Sequence, residues 1–305
     1  MNRAERYARI ESLGFETIDR SKKATTTTGA VAAVKEILAR RSMLALLVRR
    51  DLKSKYKDSA LGFFWTLVRP VTQLVIYAIV IGKFLGAERG IPLFAIYIFA
   101  GLTIYSLFQE ILTGGTGSIL ANASLVKKIY MPRELFPLAS VGTALFNFLI
   151  QLAVLLVASL IFGNLRFSAS FWYFIPSVLV VLTYGLALAL LLSAANVYLR
   201  DIAYLVEILS MILMWGSPIL YSWTMVRDTL ISSGLEWLLF LYTSNPLTLA
   251  VLGFQKAVYG LDTHGLSAPE NLGTYLWVAL AVGVGLLWLC HKAFRRMQGN
   301  FAQEL

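Results

Sequence analysis

Ser124 and Lys127 stand at the Ser-x-x-Lys spacing that acyl-transfer enzymes use to activate a serine nucleophile. The companion motifs of those enzymes are missing, so the spacing alone implies no chemistry. The two histidines, His264 and His291, lie far apart without a neighbouring acidic pattern, and neither makes a metal site. The only Gly-Lys pair, Gly82-Lys83, has no glycine five residues upstream. The chain therefore lacks the phosphate-cradling loop by which many ATPases hold nucleotide. No Asp-x-Asp pair is present for a metal-dependent sugar transfer. Two acids, Glu110 and Glu207, fall within apolar stretches, near the inner ends of the second and fifth predicted spans. That placement does not form a relay across a bilayer and reads as structural or gating.

What surrounds these residues is apolar. Hydrophobic residues make up 58% of the 305, and charged residues only 14%, against about 45–50% and about 25% in a soluble domain. The apolar residues come in blocks of about 20, the length a helix needs to cross a ~30 Å hydrocarbon core. The net charge of +10 is concentrated beside the predicted spans on one side. Anionic headgroups and topology account for it, and nucleic acid is not implied. One cysteine, Cys290, excludes an internal disulfide. The first 60 residues are polar and basic and lack the apolar run and cleavage site of a signal peptide.

The elements that must position the rest follow from periodicity. Residues 1–35 read as a partly disordered cytoplasmic tail. Over 36–62, Leu44, Leu47, Val48 and Leu52 recur at helical spacing among Arg49, Arg50, Asp51, Lys53 and Tyr56, which predicts an amphipathic interfacial helix. A membrane domain over 63–292 holds six predicted spans, at 63–85, 92–112, 136–162, 172–197, 202–221 and 274–290. Gly114-Gly115-Thr116-Gly117 reads as a turn after the second span. It opens a connecting region, 113–135, that carries Lys127, Lys128 and Arg133. The stretch 222–272 holds two apolar segments too short to span, broken at Ser244-Asn245-Pro246, and reads as two short re-entrant external helices. A basic tail, 293–305, follows. The excess of Lys and Arg in the predicted inner segments puts both termini in the cytoplasm. The expected fold is all-α and polytopic, with six transmembrane helices.

The order of these features resembles the permease subunit of type-2 ATP-binding cassette exporters. The branch it resembles exports lipid-linked polysaccharides such as O-antigen, teichoic acid, capsule and galactan. Three stretches carry the resemblance: 47–59, leading to Arg69-Pro70; 122–134; and Val197-Tyr198-Leu199-Arg200-Asp201 with Ser217-Pro218-Ile219-Leu220-Tyr221 downstream. It implies that Asn122, Leu125, Lys127, Lys128, Tyr130, Pro132, Arg133 and Glu134 form the contact with a cytoplasmic ATPase. It implies a homodimer with two ATPase copies, and a channel at the dimer axis lined by Trp65, Tyr77, Tyr97, Tyr105, Phe108, Trp215, Tyr221 and Trp223. Glycans stack their CH faces on such rings. The chain itself would bind no cofactor, with ATP and Mg held by the partner ATPase. Its substrate would be a polyprenyl-linked glycan, and its place the bacterial cytoplasmic (inner) membrane, among lipids. The C-terminal Phe301-Ala302-Gln303 resembles an acidic Phe-Ala-Asp ending with Gln303 in place of the acid. Two rival readings are a permease for a drug or lipid and a membrane enzyme acting on polyprenyl-linked sugars. The second would need clustered acids or histidines at one membrane face, and the sequence has none.

Overall fold

The computed structural model describes residues 40–56, 64–84, 86, 90–128, 131–164 and 169–305. The expected tail at 1–35, and Tyr130 of the connecting region, lie outside the described residues, as does the side chain of Tyr56. Among the described residues every regular element is helical.

Helix α1 (Arg41–Tyr56) precedes the membrane domain. Helix α2 (Trp65–Ile76) continues as a wider π-type coil over Tyr77–Phe84. The central element is α3 (Phe94–Ala121), buried on nearly its whole circumference. A short helix, α4 (Ala123–Lys128), leads through Pro132 into α5 (Leu135–Ile161). A 3-10 turn at Ala169–Tyr173 opens α6 (Phe174–Tyr198). Then follow α7 (Ile202–Trp215), α8 (Trp223–Ser232), α9 (Glu236–Thr243) and α10 (Pro246–Val258). The chain closes with α11 (Leu272–Met297) and the single turn α12 (Phe301–Glu304).

Five of these stretches are long and apolar enough to cross a membrane, and the pair α9–α10, bent by 73°, makes a sixth if it is counted as one broken span. The all-α polytopic architecture expected from composition is therefore present, but the sixth span is not the expected one. Helix α7 has 14 residues, which at 1.5 Å each gives about 21 Å, short of the ~30 Å core. It stops at Gly216, where the Ser217-Pro218 segment leaves helical geometry and is held by side chains instead. The stretch 222–272, expected to be external, also departs from expectation, with three short helices in place of two. Asn245 caps α10 by accepting from the Leu247 amide at 3.0 Å, with Pro246 in the first turn.

The expected turn at 114–117 is helix. Its glycines serve packing: a Cβ on Gly115 would collide with the Ala189 side chain of α6. In lipid, where water gives no drive for helix association, such close backbone approach is a main source of contact energy. Gly253 of α10 does the same against Ser177 and Leu276. These glycines let α3, α6, α10 and α11 close around one core.

Candidate functional site

Three spans each carry one polar stripe at helical spacing. On α2 and the start of its π-type continuation it is Thr66, Arg69, Gln73 and Tyr77; on α3 Ser106, Gln109, Glu110 and Thr113; on α5 Ser140, Thr143, Asn147 and Gln151. Steps of three, four and seven put each set on one helix face. The fold turns all three faces onto one cleft of about 910 Å³, which Lys55 and Asp51 of α1 and Trp65 of α2 also border. Asn147 Nδ2 donates to the Glu110 carboxylate across the α3–α5 boundary. Gln73 Nε2 donates to Tyr77 Oη at 3.1 Å. Tyr105 Oη reaches across to the Ser210 carbonyl of α7 at 2.6 Å.

The cleft continues toward α4 as a second space of about 690 Å³ that shares Asp51, Thr113, Gly114 and Ser140 with the first. Here Arg50 links two elements. Its guanidinium donates to Asp51 Oδ1 at 2.6 Å and to Asn122 Oδ1 at 2.7 Å, and Asn122 Nδ2 donates back to the Ser118 carbonyl at 2.8 Å. Thus α1 is tied to the start of α4. Within α4, Val126 is buried and anchors the helix, while Ser124, Lys127 and Lys128 are exposed and Leu125 is half-buried. Arg49 and Lys53 of α1 are exposed.

Beyond α4 the expected contact residues turn away from solvent. Pro132 is half-buried. The Arg133 guanidinium carbon sits 5.5 Å from the centroid of the Phe301 ring. Glu134 is buried, with its carboxylate 3.7 Å from His291 Nε2, an ion-pair separation. Burial raises the Glu134 carboxyl, but His291 and Arg295 outweigh it and leave it below its ordinary value. Within the chain, the buried Glu134 carboxylate has its charge partner in His291.

The eight aromatics expected to line a channel divide. Trp65, Tyr77 and Tyr105 border the large cleft. Tyr97, Phe108 and Trp223 are interior. Tyr97 Oη is engaged by the Pro218 and Tyr221 carbonyls at 3.1 and 2.9 Å, and Trp223 is covered by Arg227 at 5.2 Å. Those three rings are core of a single chain, Tyr97 and Phe108 because α3 is central rather than peripheral. Trp215 is exposed on α7, and Tyr221 is half-buried with its hydroxyl on the Trp215 carbonyl at 2.6 Å. Sequence reasoning that followed aromatic rings passed over the carboxamides and hydroxyls of α5. Their three- and four-residue spacing in a span otherwise rich in Leu and Val was the signal that marks them.

Comparison with known proteins agrees with this architecture. The profile of ABC-2 type transporters matches residues 43–259. An O-antigen export system permease protein, RfbA, of Myxococcus xanthus is 29% identical over 278 residues, covering 90% of this chain and all of that protein. A protein of the same name from Klebsiella pneumoniae is 27% identical over 266 residues, 86% of this chain and 95% of the relative. The chain belongs to the ABC-2 type transporter family, as a membrane-spanning transport subunit that works with an ATP-binding cassette partner and not as an enzyme.

Proposed function

We propose that this chain is the permease of an exporter for an O-antigen-type polysaccharide carried on a polyprenyl lipid. It acts as a homodimer with two copies of a separate ATPase, in the bacterial cytoplasmic membrane with both termini inside. ATP and Mg²⁺ belong to the ATPase, and this chain binds no cofactor. The observation that carries the reading is the cleft with its three converging polar stripes, rimmed by Trp65 and Tyr77. Carboxamides and hydroxyls match sugar hydroxyls as donors and acceptors, and flat rings match their CH faces. An apolar drug or a bare lipid gains nothing from that lining, since displaced water on Gln and Asn would go unreplaced. The names of the relatives point the same way.

The homodimer is supported by one charge that a single chain leaves bare. On α7 an exposed Glu207 stands among the exposed Tyr204, Leu205, Ile208, Met211 and Ile212. A carboxylate facing hydrocarbon costs several kcal/mol, which a water-filled dimer axis removes. The ATPase contact is α4, whose exposed cations Lys127 and Lys128 steer association.

Depletion in the native host tests the substrate. Lipid-linked glycan should accumulate on the inner leaflet while surface polymer disappears, and normal surface polymer would discard the reading. Charge reversal at Lys127 and Lys128 should weaken co-purification of the ATPase by about tenfold, on the order expected for two rim charges. Undiminished association would remove α4 from the contact.

A further inference from the structure

The C-terminal segment is packed like an interior element. Phe301 is completely buried. Three groups, from two helices and the segment before α5, meet its ring. Phe294 of α11 stands edge-on at 5.8 Å, Tyr198 at the end of α6 at 6.2 Å, and the Arg133 guanidinium lies over it at 5.5 Å. Tyr198 Oη donates to the Met297 carbonyl at 2.6 Å. One residue past Arg133, Glu134 pairs with His291 of α11. The start of α5, the end of α6 and the end of α11 are thereby fastened together directly after α4.

A four-residue helix such as α12 has no stability of its own, because nucleation outweighs one or two hydrogen bonds, and such segments stay ordered only when tied down. Six-residue α4 has the same weakness, with Val126 as its one buried side chain. A helix that short transmits a push only if both flanks are anchored. Arg50–Asn122 anchors the entry. The exit is anchored by the tail.

We propose that residues 294–301 form a latch that positions the exit of α4, with Phe301 and Arg133 as positioning residues that carry ATPase movement into three spans at once. This rests on the reading of α4 as the ATPase contact. Without the latch, α4 still docks the ATPase, but its displacement is dissipated before it reaches α5, α6 and α11 together. The aromatic face of Phe301 is specific to the role: a cation held over a ring is directional, and it is lost when the ring becomes aliphatic.

The test uses the full permease–ATPase complex, with ATP hydrolysis measured in lipid nanodiscs and surface glycan measured on cells carrying each variant. Arg133→Gln and Phe301→Leu are both expected to co-purify with the ATPase as the parent does and to keep its hydrolysis within about twofold. Surface glycan per ATP hydrolysed should fall by about three- to thirtyfold, the range of a partly to fully desolvated cation–π contact. Arg133→Lys keeps a cation over the ring and should retain most export. The double variant should be no worse than the poorer single, since both act through one contact. If Phe301→Leu does not fold, the half-exposed Arg133 carries the test alone. Normal export per ATP in an assembled Arg133→Gln complex overturns the latch and leaves α4 docking intact. Loss of ATPase co-purification in Arg133→Gln also overturns it, in favour of a direct Arg133–ATPase contact. If charge reversal at Lys127 and Lys128 leaves co-purification unchanged, the docking reading fails instead.

Discussion

Gly114, Gly115 and Gly117 share one run of sequence, and the structure assigns Gly115 and Gly117 opposite sensitivities to the same substitution. A Cβ on Gly115 overlaps the Ala189 Cβ and stands 3.3 Å from the Ala189 Cα. Methyl carbons prefer about 3.5–4.0 Å. Neither methyl can rotate away, so α3 and α6 must part by about 1 Å along a buried contact, given that preferred separation. Overpacking of this kind costs about 1–3 kcal/mol, against a gain of about 0.5–1 kcal/mol from replacing a mid-helix glycine. The expected net loss for Gly115→Ala is on the order of 1–2 kcal/mol, a fall in Tm of about 2–8 °C at this chain length. A Cβ on Gly117 would meet no atom within 4 Å, so Gly117→Ala is expected to hold or raise Tm. The sole cysteine, Cys290, is buried, and a thiol-reactive fluorophore therefore reads unfolding at a single site. Gly115→Ala combined with Ala189→Gly moves the methyl from one helix to the other and should recover most of the loss. Equal Tm for Gly115→Ala and the parent, or no recovery in the pair, would refute the α3–α6 contact.

Two further outcomes follow from named contacts. Tyr97→Phe removes the donor that holds the Pro218 and Tyr221 carbonyls, and the same fluorophore assay should show a loss of about 1–3 kcal/mol. Gln255 Nε2 still reaches the Pro218 carbonyl at 3.1 Å, so the segment should loosen without detaching. The Glu134 carboxyl lies below its ordinary value of 4.5 in the folded chain. A lowered folded value contributes stability that is present above the unfolded value and is lost as pH falls through the folded one. Tm followed by tryptophan fluorescence should therefore be insensitive to this group from pH 7 to about 5 and decline below the ordinary carboxylate range. In His291→Gln the main counterweight to burial is gone, and that low-pH decline should shrink. An unchanged decline would show that His291 does not hold the charge.

The blocks of apolar residues made the helices legible, because membrane length and helical rise leave one solution. Their ends were less so. Gly114-Gly115-Thr116-Gly117 read as a turn because glycine weakens an isolated helix. In this chain Gly115 is what lets α6 reach α3, and that partner is invisible in local sequence. The span expected at 202–221 was counted by apolar length, yet Ser217-Pro218 ends the helix, and Tyr97 and Gln255, from distant elements, hold the backbone it releases. The α4 region was legible as charge next to proline. The inward turn of Arg133 and Glu134 was not, because their partners Phe301 and His291 lie more than 150 residues away in sequence.

The same distinction explains why rings were an incomplete guide to the cleft, which Trp65, Tyr77 and Tyr105 border. An aromatic side chain gains as much from a packed core as from a ligand surface, so Tyr97 and Phe108 carry no label for either. A carboxamide in a span does. Asn147 and Gln151 sit among Leu and Val in α5, where hydrocarbon offers no partner and each unmet donor or acceptor costs several kcal/mol. Asn147 meets part of that need through Glu110 and Gln73 through Tyr77, but Gln109 and Gln151 also turn to the open cleft. Three spans that independently carry polar groups on the face they turn to a common cleft can be relieved together by water or by a hydroxyl-rich ligand, and by nothing apolar. The polarity of that face, read with the helical period and not residue by residue, is therefore the property that separates a transport path from a packed core.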